Sequence, residues 1–169
     1  MNLKFYQADE NYCAFLRKSD PCVPYINDEK SIRPFVGVLL TVNHINYFAP
    51  LTSPKPKHKK MKNQADFIKI NGGEWGAINL NNMIPIHLSC LAPVDMKISA
   101  CDNKADIDYK NLLFNQLSWC NANKARLLNL AEKLYKLVVS GKGQAGLADR
   151  CCNFLLLEKQ YYMYQEIVD

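Results

Sequence analysis

The sequence predicts an α+β fold in which an antiparallel sheet carries packed helices. Strand-like segments occupy most of the chain up to Pro93, and helical stripes of apolar residues occupy the remainder. Strands that precede helices are typical of an α+β protein. No internal repeat and no alternation of strands with helices is present, which disfavours a doubly wound nucleotide-binding fold. At 169 residues the chain has the length of one domain, so we expect a single domain over residues 1–169.

Short local patterns predict the first strand and the first helix. Residues 3–7 alternate in hydrophobicity and include aromatic side chains, as a strand does. Asp9 is placed to cap a helix that runs through Arg17, and Tyr12 lies on the predicted inner side of that helix. Residues 19–34 contain three prolines and are predicted to form a long irregular loop, and a loop of that length is often functional.

A hairpin is predicted to form the centre of the sheet. Residues 35–42 are nearly all apolar, which is typical of a strand covered on both faces. Asn43 and His44 provide a tight turn, and residues 45–51 return as the partner strand. Three shorter strands are predicted at residues 67–70, 75–80 and 83–87, the last at a sheet edge because it contains Pro85.

Three apolar stripes predict the helices that come after Pro93. The first includes Tyr109, Leu113, Leu117 and Cys120, and the second runs from Leu127 to Val138. Ser140 and Gly141 resemble a helix C-terminus. Asn153 is predicted to cap a final helix with Phe154, Leu157, Tyr161 and Tyr164 on one face. Stripes of this kind are far more often core than cofactor contacts.

The segment after the second hairpin strand concentrates hydroxyls, prolines and positive charge. Thr52 and Ser53 stand at the strand end, and two prolines are expected to keep Ser53 and Lys55 extended. Five lysines lie within eight residues: Lys55, Lys57, Lys59, Lys60 and Lys62. A lysine run by itself most often forms a solvated loop. The two hydroxyls at a rigid strand end favour phosphate binding instead.

Composition favours a polyanion-binding protein without a metal site. The formal net charge is +5, and much of the positive charge is concentrated in this one segment. The seven cysteines form no C-x-x-C pair and the three histidines are scattered, so we expect free thiols, no metal and no cofactor. No apolar run is long enough for a bilayer span and no signal peptide is evident, which predicts a cytoplasmic protein.

Several short motifs, in their order and spacing, resemble the ToxN/AbiQ-like toxins of type III toxin–antitoxin systems. The most specific motif is Tyr47-Phe48-Ala49-Pro50-Leu51-Thr52-Ser53-Pro54-Lys55. The others are Lys4-Phe5-Tyr6, Arg33-Pro34-Phe35-Val36-Gly37, Ala77-Ile78-Asn79-Leu80 with Met83-Ile84-Pro85, Tyr109-Lys110 with Gln116-Leu117, and Cys152-Asn153-Phe154 with Leu156-Leu157-Glu158. Together they cover nearly the whole chain.

The resemblance implies a sequence-selective endoribonuclease that is inhibited by a small structured RNA. The implied fold is a strongly twisted antiparallel sheet, a partly open barrel with a Kid/MazF-like core, flanked by helices. The implied partner is a pseudoknot-repeat antitoxin RNA that the toxin itself processes, within a closed protein–RNA assembly. Adenine-rich cleavage sites would be usual for the family, whose role is growth inhibition and abortive phage infection.

The resemblance also assigns site residues. The catalytic positions fall on Tyr12, Thr52, Ser53 and Lys55. The resemblance places RNA-binding positions at Arg33 and Tyr25. The basic segment and the loop before residue 34 add five expected RNA contacts of their own: Lys30, Lys57, His58, Lys59 and Lys60. The family often has a lysine where this chain has Arg33, which keeps the charge but removes an easily transferred proton. For Tyr12 a purely structural role in the core is equally compatible with the sequence.

Three classes of function remain open from the residues alone. The first is a metal-independent endoribonuclease in which the RNA 2′-hydroxyl attacks the adjacent phosphorus and gives a 2′,3′-cyclic phosphate and a 5′-hydroxyl. The second is a non-catalytic RNA-binding protein that uses the same basic loop. The third is a cysteine-dependent enzyme, which is the weakest because no cysteine has a histidine partner nearby in the sequence.

Overall fold

The protein folds into an α+β structure whose strands lie almost entirely before its long helices. A computed structural model describes residues 1–28 and 31–168. The strands are β1 (Lys4–Ala8), β2 (Asn27–Asp28), β3 (Ser31–Ile32), β4 (Phe35–Val42), β5 (Ile45–Thr52), β6 (Phe67–Lys69), β7 (Ala77–Asn79), β8 (Ile84–Pro85) and β9 (Leu91–Pro93). The helices are α1 (Glu10–Ser19), α2 (Pro56–Lys60), α3 (Lys104–Ala122), α4 (Lys124–Ser140), α5 (Leu147–Arg150) and α6 (Phe154–Val168).

Within the described residues, seven strands form one antiparallel sheet. Its order is β6-β7-β5-β4-β1-β9, and β8 also pairs with β5. One edge of β5 pairs with β4, and the other edge pairs with β8 at Tyr47 and Phe48 and with β7 at Leu51 and Thr52. The sheet does not close, so the antiparallel sheet flanked by helices is confirmed in an open form. The predicted likeness to a Kid/MazF core stays a prediction.

The central hairpin forms where the sequence predicts it. Asn43 and His44 both have positive φ, 48° and 67°, as the tight turns that join twisted antiparallel strands require. Val42 faces Ile45 across the turn. Phe48 is fully buried and meets the ring of Tyr6 edge-on, with 5.5 Å between centroids. Both strands are therefore held by the core rather than by the turn alone.

The predicted helix boundaries are confirmed by their caps. The Asp9 carboxylate accepts a hydrogen bond from the Tyr12 amide at 2.8 Å, and the Asn153 side chain accepts one from the Leu156 amide at 3.1 Å. Gly141 ends α4 in the left-handed conformation, with φ of 67°. These polar groups satisfy backbone donors and acceptors that a helix end leaves unpaired.

A partly buried polar contact joins the sheet to the C-terminal helices. The hydroxyls of Tyr47 on β5 and Tyr135 on α4 each donate to Glu158 Oε1 on α6, both at 2.7 Å. Burial, followed by the hydrogen bond to Glu158, raises the pKa of Tyr47, so this hydroxyl stays protonated and remains a donor. The three elements are thereby tied at one point.

Four elements depart from the sequence-based expectation. β2 and β3 pair inside the predicted irregular loop, and β9 pairs with β1 at the edge of the sheet, where Pro93 needs no ladder partner for its nitrogen. The basic segment is not a continuous extended loop, because α2 begins at Pro56. Proline is tolerated at the first position of a helix, where the missing N–H is not needed.

No helix in the described ranges is long and apolar enough to cross a bilayer.

Candidate functional site

The predicted strand-end residues line a cleft between the end of β5 and helix α3. The cleft has a volume of about 190 Å³. Five of the residues predicted for the site lie in its wall: Tyr25, Arg33, Thr52, Ser53 and Lys55. They come from the loop before β4 and from the end of β5, which the fold brings to one place. The α3 side is formed by residues that include Tyr109 and Gln116.

The end of β5 is a rigid mount for the hydroxyl groups. Thr52 pairs with Ala77 of β7, and the Leu51 amide donates to the Pro34 carbonyl at 2.9 Å. Thr52 is half-buried, whereas Ser53 is exposed. Lys55 has φ of −134° and ψ of 144°, so its predicted extended backbone is confirmed. Its ammonium group is therefore presented from a backbone held between a strand and a helix.

Residues 73–76, which we call the support segment, lie directly beneath this strand end. Gly76 has φ of +89°, and a Cβ there would stand 2.1 Å from the Thr52 carbonyl oxygen and 3.2 Å from the carbonyl carbon of Ser53. Gly73, with φ of +92°, makes a similar close approach to the backbone of His58. Only glycine allows both this conformation and this contact distance. The support segment thus packs against the backbone of Thr52, Ser53 and His58 and fixes its position.

Positive charge surrounds the cleft without acidic partners among the described residues. Arg33 and Lys55 line the cleft, and none of the ion pairs formed by the described residues involves either of them. Lys57, Lys59 and Lys60 do not line the cleft but are exposed on α2, which starts next to Lys55. We call these three side chains the α2 lysines. Their exposed charges add to the positive potential on this side of the molecule.

Tyr25 stands at the mouth of the cleft as an exposed aromatic ring. Its side chain is 73% exposed, and the Arg17 guanidinium lies 4.2 Å from the ring centroid. Arg17 is itself held by a hydrogen bond to the Pro24 carbonyl at 2.7 Å and by an ion pair with Glu10. Arg17 was not predicted, because its role depends on where the loop folds back. An exposed ring held in this way can stack on a base.

The predicted catalytic role of Tyr12 disagrees with its position. Tyr12 is fully buried in the core, and its hydroxyl donates to the Pro85 carbonyl at 2.6 Å. It is not among the residues that line the cleft. Burial raises the pKa of its phenol. The alternative interpretation, a core tyrosine on the inner face of α1, is the one that the structure supports.

The predicted RNA contact of His58 also disagrees with the structure. The side chain is only 2% exposed and packs edge-on against Phe67, with 5.5 Å between ring centroids. Burial, and then the charges of Lys55 and Lys57, lower the pKa of this imidazole, so it is neutral near pH 7. His58 anchors α2 to the sheet. Lys30, which was also predicted to bind RNA, lies outside the described residues.

Tyr109 and Gln116 of α3 were missed as site residues. The helical stripe placed Tyr109 in the core, but its side chain is 40% exposed and lines the cleft. Partial burial raises the pKa of its phenol, so the hydroxyl stays protonated. The sequence signal for a site on α3 was Gln116, because it is an amide among the apolar residues of the same stripe. Its side chain is 3% exposed.

The cysteine chemistry left open by the sequence finds no support at this site. None of the residues that line the cleft is a cysteine. Burial raises the pKa values of Cys13, Cys120 and Cys152, which keeps these thiols protonated and weakly nucleophilic. In the described ranges, no three side chains of the types His, Cys, Asp and Glu come together as a metal site would need.

The sequence matches a protein family and several curated relatives. The family described as "Toxin ToxN, type III toxin-antitoxin system" matches residues 4–162. The chain is 34% identical to endoribonuclease ToxN of Bacillus thuringiensis subsp. kurstaki, with 98% of this chain and 86% of the relative covered. It is also 34% identical to endoribonuclease ToxN of Pectobacterium atrosepticum, with coverage of 94% and 92%.

Solved structures agree with this assignment over nearly the whole length. One is a bacterial type III toxin–antitoxin system in which a non-coding RNA pseudoknot selectively inhibits the toxin; it has a TM-score of 0.80 at 32% identity and covers 98% of this chain and 99% of its own. Another is AbiQ, a lactococcal anti-phage endoribonuclease of a type III system, with a TM-score of 0.82, 26% identity and coverage of 98% and 99%. The chain therefore belongs to the ToxN family of toxins from type III toxin–antitoxin systems.

Proposed function

We propose that this protein is a sequence-selective endoribonuclease that cuts RNA in the cleft at the end of β5. The observation that carries the proposal is the meeting of Thr52, Ser53, Lys55 and Arg33 in one cleft, in a chain whose relatives are named endoribonucleases. Two hydroxyls and two cations match the needs of a phosphodiester whose negative charge increases during the reaction. Because its substrate is cellular RNA, the toxin would act in the cytoplasm.

The cleavage we propose uses the RNA's own 2′-hydroxyl as nucleophile. The 2′-hydroxyl gives its proton to water as a bond forms between the 2′-oxygen and phosphorus. The bond from phosphorus to the 5′-oxygen breaks, and that oxygen takes a proton from water. The Thr52 and Ser53 hydroxyls would donate hydrogen bonds to non-bridging phosphate oxygens. Lys55 and Arg33 would stabilise the added negative charge. The products are a 2′,3′-cyclic phosphate and a 5′-hydroxyl.

The exposed aromatic ring at the mouth gives this cleft a means to hold a base. Tyr25 would stack on a nucleotide next to the scissile phosphate, and the Arg17 guanidinium on that ring would limit its movement. The preference for adenine-rich sites that the family resemblance implies is part of this proposal. Large flat purines stack on aromatic rings readily, although stacking alone accepts every base.

Removing metal ions is the first test of this chemistry. We expect full cleavage of RNA in excess EDTA, because the proposed steps need only side chains of this chain and the 2′-hydroxyl. The measurement is gel analysis of a short RNA, with mass spectrometry of the two ends. A 5′-phosphate product, or activity that returns only when magnesium is added, would contradict the proposed route.

The inhibitor we propose is a small structured RNA that fills the same cleft. A relative of similar fold is inhibited by a non-coding RNA pseudoknot. Here such an RNA would lie across the α2 lysines with the 3′ end of a processed repeat beside Ser53 and Lys55, and it would exclude substrate. Each RNA would reach more than one toxin copy, which would give a closed protein–RNA assembly.

The α2 lysines should make antitoxin binding depend on salt. Each phosphate contact releases counterions, with a slope of log K against log salt of about −0.7 to −0.9 per contact. Replacing Lys57, Lys59 and Lys60 together with glutamine should reduce this slope by about 2–3. The measurement is a salt series of RNA binding by both proteins. Equal slopes would remove α2 from the RNA-binding surface.

A non-catalytic RNA-binding protein is the remaining alternative. The same cations would then bind RNA without cleavage, and the Thr52 and Ser53 hydroxyls would serve only as contacts. The purified protein, mixed with RNA that contains the antitoxin repeat, separates the two functions. Binding with no cut RNA after long incubation would favour the alternative.

A further inference from the structure

One side chain at the cleft makes a contact that the proposed chemistry does not use. Gln116 of α3 is 3% exposed, and its Nε2 donates to the Trp75 carbonyl oxygen at 2.7 Å. Its Oε1 is buried and has no hydrogen-bond partner among the described residues. Since Nε2 must face the Trp75 oxygen, rotating the amide would place two oxygens against each other. The orientation of the amide is therefore determined by this one bond.

A residue with an unpaired buried oxygen is a poor choice for filling space alone. Methionine or leucine would occupy a similar volume at this position without leaving an acceptor unsatisfied. The neighbours of Gln116 in the helical stripe, Leu113 and Cys120, are buried and fill space in this way. What the amide adds is a donor aimed at the backbone of residue 75.

The bond reaches the candidate catalytic residues through a short chain of contacts. Trp75 directly precedes Gly76, and the Gly76 backbone lies so close to Thr52 that a Cβ would come within 2.1 Å of the Thr52 carbonyl oxygen. The same Cβ would stand 3.2 Å from the Pro54 nitrogen. A shift of residues 75 and 76 would therefore move Thr52 and Ser53, or open a gap beneath them.

We propose that Gln116 is a positioning residue, which holds the support segment against the end of β5 and so sets where the Thr52 and Ser53 hydroxyls stand. The inference rests on the proposed RNA cleavage, for which those hydroxyls must meet phosphate oxygens within hydrogen-bond distance. A misplacement of about 1 Å can lower a catalysed rate by about 10²-fold. Gln116 thus acts on the reaction without touching the reacting atoms.

Two substitutions at residue 116 test the proposal. In Gln116→Met the volume remains and the donor is lost, so we expect kcat to fall by about tenfold or more, with KM for RNA changed by less than about twofold. The melting temperature should stay within a few degrees of wild type, because removing the unpaired Oε1 offsets part of the cost of leaving the Trp75 carbonyl oxygen without its donor. Asn115→Met is the matched control, since residue 115 is an exposed amide on the same helix, and it should cleave as wild type does.

The pH dependence of cleavage by Gln116→Glu distinguishes a positioning role from a purely structural one. A protonated carboxyl can donate to the Trp75 carbonyl, whereas a carboxylate cannot. The cleavage rate of Gln116→Glu, divided by that of wild type at the same pH, should therefore rise as pH falls through the pKa of the new carboxyl. The same ratio for Gln116→Met should stay flat.

Several outcomes would overturn the inference. A higher KM with unchanged kcat in Gln116→Met would make Gln116 an RNA contact, and a rate loss that follows the folded fraction would make it a stability residue. Wild-type rates in Gln116→Met, or a flat ratio in Gln116→Glu, would also refute positioning. In each of these cases wild type still cleaves RNA. If wild type cuts no RNA at all, the proposed function fails instead.

Discussion

Replacing Lys55 with alanine should lower the rate of RNA cleavage by about 10²–10³-fold while the protein stays folded. Losing one charge contact to the transition state costs about this much. The side chain is exposed and lines the cleft, so its removal leaves no cavity in the core. Single-turnover cleavage of a short RNA at saturating protein measures the chemical step, and circular dichroism reports the fold.

Two matched variants show whether the effect belongs to this position. Lys57→Ala removes the same charge two residues away, on α2 and outside the cleft, and should keep the single-turnover rate near wild type. Lys55→Arg keeps the charge with a different geometry, and should retain more activity than Lys55→Ala. A folded Lys55→Ala protein that cuts RNA at the normal rate and still stops cell growth would remove Lys55 from the mechanism.

Gly76→Ala should abolish cleavage and reduce the free energy of unfolding by about 2–5 kcal/mol, which sums the cost of overpacking and of a left-handed backbone. The added methyl would stand 2.1 Å from the Thr52 carbonyl oxygen, and neither backbone can yield easily because Thr52 is paired in the sheet. Urea unfolding measures the stability. Cleavage measured well below the unfolding midpoint shows the loss of activity in protein that is still folded.

Gly72→Ala is the control for this prediction. Gly72 also has positive φ, +66°, but apart from Gly72 and its two chain neighbours no described residue has a heavy atom within 4 Å of the place its Cβ would take. This change should cost only the backbone strain, about 1–2 kcal/mol, and should leave cleavage by the folded protein unchanged. Equal effects of the two substitutions would mean that the contact with Thr52 is not what makes Gly76 necessary.

Local signals in the sequence predicted the parts of the fold that depend on neighbouring residues. The Asp9 cap, the Asn43–His44 turn and the end of α4 at Gly141 each depend on a side chain and the backbone next to it. The open edge strand β9 was missed because its short sequence contains Pro93 and it is held by a partner more than eighty residues away. Pairing over that distance has no local signal.

In the candidate site, too, residues with a local sequence signal were predicted, and residues placed by long-range packing were missed. Thr52, Ser53 and Lys55 were predicted from one continuous stretch, and the fold brings them into a cleft with Arg33 and Tyr25. Tyr12 was predicted on the inner side of α1, and its burial agrees with the core role that the sequence left open. The inward position of His58 was not predicted, because which face of a short helix is buried depends on what packs against it. For the same reason Gln116 was not recognised, since only the completed fold places α3 over the end of β5.

The way the cleft is assembled has a consequence for how the toxin is made. Its walls come from residues 25–26, 33–34, 51–55 and 109–116, and β1, at the start of the chain, is held between β4 and β9. During translation the hydroxyls and lysines of the β5 end leave the ribosome well before the α3 wall exists. A nascent chain therefore has no complete cleft until most of the protein has been synthesised. The proposed cleavage activity would therefore begin only late in synthesis, after α3 has packed against the end of β5.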